Sequence, residues 1–134
     1  SRFKAGHCGW GMEPLLTRLY RTWQERNYRM ASSIVAMSQA ERQRPVVMIL
    51  GAGHTEHNWG VVSQVEQQLP QLKQLNIGLQ EIYIEDAPLD SYLFGDSELR
   101  EMFGPRYDLF WFTQRQDYQD HCAAFRKPHE SPPE

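Results

Sequence analysis

The chain has 134 residues, 40% of them hydrophobic and 12% aromatic, with 14 Lys and Arg against 17 Asp and Glu and a formal net charge of -3. At this length folding removes roughly two thirds of the unfolded chain's surface from water, so a core can form without disulfides or metals. The acidic pI of about 5.9 argues against a general nucleic-acid binder, which must gather cations against phosphates. The longest apolar run, Val46 to Leu50, is far short of the ~20 residues of a membrane-spanning helix.

Ser1-Arg2-Phe3-Lys4 carries neither an initiator Met nor the start of a secretory signal, so the chain reads as the inside of a longer precursor. From Met12 to Met37, the residues Leu15, Leu16, Leu19, Trp23, Met30, Ile34 and Met37 recur mainly at helical spacing between polar side chains. That pattern predicts one long amphipathic helix, with Pro14 in its first turn and an end near Gln39 or Ala40. Val46-Val47-Met48-Ile49-Leu50 is uninterrupted and rich in β-branched residues, which predicts a central strand buried on both faces. Gly51-Ala52-Gly53-His54-Thr55-Glu56-His57 follows as a turn, and Val61, Val62, Val65 and Leu69 mark a second helix closed by Pro70.

Leu79 to Ile84 and Tyr107 to Thr113 read as two further strands. The segment between them, Glu85 to Arg106, reads as a loop enclosing a short helix from Ser97 to Phe103. Strands separated by helices predict an α/β fold: a small, mostly parallel sheet with flanking helices. Three strands fronted by so long a helix suggest the C-terminal half of a larger α/β domain. Residues 114–134 are polar and Pro-rich and read as a disordered tail, which leaves 1–113 as the folded part. Cys8 and Cys122 form no Cys-x-x-Cys pair; they read as two free thiols, with one bridge closing a long loop as the alternative, and fix no compartment.

Chemistry concentrates at the glycine turn. A Gly-x-Gly directly after a strand lets a ligand approach the backbone, and a following helix adds the positive end of its dipole, so an anion is the natural guest. The sequence lacks the Gly-Lys-Ser/Thr of a phosphate loop and the third glycine of a dinucleotide fingerprint. Its distinctive feature is His54 beside Gly53, with Glu56 and His57 close behind, at the expected carboxyl end of a strand where open α/β sheets bind ligands. An imidazole there can coordinate a metal or haem iron, donate to a carboxylate, or act as a base. Against this stands a His54 that merely caps the turn, beside a solvated Glu56 and His57. A zinc site from these residues alone lacks a clear third ligand.

His7 and Cys8, before the long helix, can bring an imidazole or thiolate to the same cleft, or simply pack. Arg26, Tyr28 and Arg29 make a polar face on that helix, where a tyrosinate can ligate ferric haem and a guanidinium can pair with carboxylates. A solvated helix face is the alternative. The four tryptophans offer stacking surface for a flat cofactor or ordinary core.

Taken together, His7-Cys8-Gly9, Glu25-Arg26-Asn27-Tyr28-Arg29-Met30-Ala31, Pro45 to His54 and Tyr107 to Thr113 resemble, in order and spacing, the signatures of ChaN-like haem-binding uptake proteins of the Tiki and TraB superfamily. The resemblance implies a bacterial cell-envelope protein, periplasmic or tied to the outer membrane as a lipoprotein through an anchor absent from this chain. It further implies a role in iron uptake and haem bound by a homodimer, as in the family's type member. Family members are longer, with an earlier Gly-x-x-His half; only Gly51-Ala52-Gly53-His54 stands here. Asn27 replaces the family's usual Asp after Arg26, removing a charge partner for that arginine.

The leading expectation is therefore haem binding rather than catalysis, with His54, Gly53, His57, Tyr28, His7 and Arg26 as the cofactor-binding set, no catalytic residue assigned and no nucleic-acid partner. The alternative is a metal-dependent or acid-base hydrolase like the superfamily's Tiki and erythromycin-esterase-like members, with His54 as ligand or base.

Overall fold

The computed structural model describes residues 13–41, 44–82, 87–94 and 101–115. Helix α1 spans Glu13–Ala40 and its 28 residues follow the predicted apolar stripe, with Pro14 in the first turn. Two 3-10 turns, Ala52–His54 and Glu56–Asn58, lead into helix α2, Val61–Gln68. Strand β1 is Ile77–Ile82, the short helix α3 is Leu89–Phe94, and strand β2 is Leu109–Gln114.

Packing divides the chain into two units, residues 24–115 and a second made of residues 1–23 with 116–134. Of the second, the described part is the first portion of α1, where Tyr20 and Trp23 stack with ring centres 5.7 Å apart. His7, Cys8, Cys122 and nearly all of the expected tail lie outside the described residues.

Within residues 24–115 the helical core is small. Ala31 of α1, fully buried, meets Val61 and Val65 of α2, and Met30, Ile34, Val35, Leu50 and Leu72 pack around them. Alanine at the contact lets the two helices approach closely, and the neighbouring side chains supply most of the apolar area removed from water. The hydroxyl of Ser32 donates to Oε1 of Gln68 at 3.0 Å and pins the same interface.

The strands pair in parallel, Ile77 opposite Leu109 through Ile82 opposite Gln114. This is the expected α/β architecture, a parallel sheet with helices around it. Its two faces differ. Gly78, Gln80, Phe110 and Phe112 point inward, where Tyr107 crosses Phe110 edge-on at 5.3 Å and Tyr92 of α3 crosses Phe112 at 5.8 Å. Gly78 is obligatory for this packing, because a Cβ there would collide with ring carbons of Tyr107. On the other face Ile77, Leu79, Leu109 and Trp111 are exposed.

Three expectations change. Val46–Leu50 is not a central strand: it pairs with no strand among the described residues, and Val47 and Ile49 are 81% and 88% exposed. A β-branched run suits a strand, but a ladder needs a partner, and here only Val46 and Leu50 turn toward protein. The sheet among the described residues consequently has two strands rather than three. Finally, α3 lies within the segment read as a loop, ahead of the expected Ser97–Phe103 helix, of which the described residues 101–103 are helical.

Candidate functional site

The segment 51–60 is held by three elements, each through a different side chain. From α1, the buried Asn27 places its Oδ1 2.6 Å from Nδ1 of His54. From the approach to β1, Asn76 donates through Nδ2 to the carbonyl of Thr55 at 2.8 Å and to Oδ1 of Asn58 at 3.0 Å. From the approach to β2, the carbonyl of Arg106 accepts from the amide of His57 at 2.8 Å. The carboxylate of Asp108 completes the clamp by accepting from the Asn76 amide at 2.8 Å.

These contacts correct the expected setting. The turn lies beside the amino ends of β1 and β2, since Asn76 and Arg106 both precede their strands. The carboxyl strand end that the sequence suggests requires Val46–Leu50 to be a paired strand, which it is not among the described residues.

The turn has an open half and a closed half. Gly51, Ala52 and Gly53 are exposed, and a Cβ added at either glycine would meet nothing within 4 Å. His54 is half-buried at the boundary. Its pKa lies below the ordinary imidazole value of 6.5, first because burial disfavours the cation and second because the charge of Arg26 opposes it. Both effects favour the neutral form of the ring. The contact joins Nδ1 of His54 to the side-chain amide of Asn27, with donor and acceptor set by the ring tautomer. Nδ2 of Asn27 is buried and makes no hydrogen bond.

The closed half starts at Glu56, which forms an ion pair with Arg106, both side chains less than one fifth exposed. Arg106 also donates through Nη1 to Oε1 of Gln80 at 2.9 Å and to the carbonyl of Tyr92 at 3.3 Å. Its guanidinium carbon sits 5.6 Å from the ring centre of Tyr107, whose phenol is pushed to higher pKa by burial and then by the Glu56 carboxylate. His57 is buried with φ +54°, against Trp59 at 5.6 Å and Phe103 at 6.1 Å. Asn58 and Gly60 also have positive φ. Gly60 cannot be replaced without disturbance, since a Cβ would lie 2.5 Å from the carbonyl oxygen of His54.

Of the residues singled out from sequence, His54 follows Gly53 at the edge of the open half, and the charge of Arg26 acts on the His54 ring. His57 is instead built into the aromatic packing. Tyr28 is exposed on α1, one position beyond the inward-facing Asn27. The solvated face read for Arg29 holds, with an exposed 2.7 Å pair to Glu25. Sequence reading missed Asn27, Asn76 and Arg106 as partners of the turn. Asn27 was legible only as a departure from a family pattern, and the other two carry no local signal. Among the described residues no group of three His, Cys, Asp or Glu is placed to hold a metal ion, and no helix is long and apolar enough to cross a membrane.

No curated protein and no solved structure matches the chain. A family profile does, over residues 1–65: the family described as haem-binding uptake, Tiki superfamily, ChaN. The matched stretch contains α1 and the whole glycine turn and stops within α2, ahead of β1 and β2. Over its first 65 residues the chain is thus ChaN-like.

Proposed function

We propose that this protein binds haem beside the open half of the glycine turn, as part of bacterial haem or iron uptake at the cell envelope. The observation that carries the reading is the His54 imidazole, hydrogen-bonded to buried Asn27 at a glycine turn with open space beside Gly51 and Gly53, inside the stretch that matches a haem-binding uptake family. The residues present fit the group. Haem is a flat apolar ring edged by two carboxylates, and it supplies a ferric iron that accepts nitrogen or oxygen ligands. His54 offers a nitrogen donor, Arg26 a cation for a carboxylate, and Gly51 and Gly53 a backbone that a bulky guest can approach.

Burying one porphyrin face contributes several kcal/mol at about 25 cal/mol per Å2. The exposed Ile77, Leu79, Leu109 and Trp111 offer apolar area for a second copy of the chain, so the reading includes a homodimer that encloses the cofactor.

The test is hemin titration of the apoprotein followed in the Soret region, with light scattering before and after addition. A saturable Soret band is expected, weakened in His54→Ala and Arg26→Ala, with mass rising toward a dimer. Tyr28→Phe asks whether the exposed phenol contributes a ligand; an unchanged spectrum removes it from the set. Absence of any spectral change in the unaltered protein overturns the reading.

A further inference from the structure

We propose that two copies of this chain join edge to edge through β1, in a two-fold antiparallel ladder centred on Ile77. β1 pairs only with β2. Beyond that ladder its backbone makes one hydrogen bond among the described residues, in which the Glu81 carbonyl accepts from Nε2 of Gln80 at 2.9 Å. Asn76, just before the strand, turns both backbone groups toward β2: its amide donates to Oδ2 of Asp108, and its carbonyl accepts from the amides of Asp108 and Leu109. Backbone groups alternate sides along an extended chain, so Leu75, Ile77 and Leu79 turn theirs to the other edge. That edge lacks the usual protections, since Ile77-Gly78-Leu79 holds neither proline nor charge and its register with β2 has no bulge.

The charges select a second copy as the occupant. Lys73 and Glu81 are the only charged residues between positions 71 and 83, four residues before and four after Ile77. Both are exposed, and residues 72–76 enter β1 without helix or turn. A two-fold axis at Ile77 sets that residue against itself, Leu75 against Leu79 of the other copy, and Lys73 against Glu81 of the other copy, twice over. It covers Leu75 and Leu79, which are 63% and 72% exposed. β2 offers no such match, because Arg106 and Asp108 at its start are engaged within the fold. The pairing turns a two-stranded sheet, marginal by itself, into one of four strands. It uses no residue of the glycine turn and does not rest on the haem reading. So short a ladder holds the copies weakly, and the dimer grows with concentration.

Sedimentation equilibrium of the apoprotein over a concentration series tests this. A reversible dimer is expected, with a dissociation constant about tenfold higher in Lys73→Glu and in Glu81→Lys, where like charges meet. An equimolar mixture of those two variants should regain the original affinity, because a copy of each matches the other. Ile77→Lys, which sets two cations face to face on the axis, should abolish the dimer, and Trp111→Ser on β2 should leave it unchanged.

A protein that stays monomeric at every concentration overturns the proposal, as does a mixture no tighter than its components. A dimer lost in Trp111→Ser but kept in both charge variants places the contact on the sheet face and overturns the edge. Should Ile77→Lys fail to fold, the mixture decides. Edge pairing in a protein that takes up no hemin overturns the haem reading alone, and hemin uptake by a strict monomer overturns the edge alone.

Discussion

His54 and His57 lie three positions apart in one turn, yet they inhabit different environments. His54 borders exposed glycines and is oriented by one side chain from α1. His57 is buried between Trp59 and Phe103, with a left-handed backbone conformation and its amide bonded to Arg106. The contrast teaches that spacing on the chain does not make a ligand pair. Left-handed residues at 57, 58 and 60 reverse the chain and turn the second imidazole away from solvent, into the packing.

The widest separation between the two halves is expected from their glycines. Gly60→Ala combines a forbidden contact with a positive φ and should cost about 4 kcal/mol, read as a fall in urea midpoint. Gly53→Ala meets open space and should change stability by less than about 0.5 kcal/mol. Equal losses for the two would show that the turn is uniformly packed.

Next in size is the exchange of the histidines themselves. His57→Ala opens a hole in the aromatic packing and should cost about 3 kcal/mol, while hemin affinity of the folded protein stays within a few-fold. His54→Ala should cost about 1 to 2 kcal/mol, through the abandoned Asn27 amide, and lose hemin affinity at least tenfold. A reversed pattern in urea melts and hemin titrations would assign the binding role to His57.

Glu56→Gln sharpens the closed half. Removing one charge of a largely buried pair leaves Arg106 less compensated, and about 2 kcal/mol should be lost. The hemin Soret maximum should not move, because Arg106 clamps the half of the turn that faces away from the open glycines.

The smallest effect is the pH dependence. The folded pKa of His54 is lowered, so between pH 6.5 and that lower value the unfolded chain binds more protons than the folded one. The contribution is fully present above pH 6.5 and is lost as pH falls through the folded value. Denaturant melts from pH 7.5 to 5 should therefore show a steeper acid-side loss in the unaltered protein than in His54→Ala. Parallel curves would mean that the ring is not desolvated.

Periodicity alone determined the two longer helices. α1 and α2 emerge with their predicted extents because an amphipathic stripe, a first-turn proline and a closing proline act locally. The two strands were legible to within a few residues, as was their place in an α/β fold, and so was His54 as a side chain of interest. The fate of Val46–Leu50 was not legible, because a strand's existence lies in its partner. The same holds for the amino-end placement of the turn, for the burial of His57, and for Asn27, Asn76 and Arg106 converging on ten residues of backbone. Each depends on hydrogen bonds and burial between segments tens of residues apart. Those energies are set by which surfaces meet in three dimensions, and no local pattern in the chain encodes them.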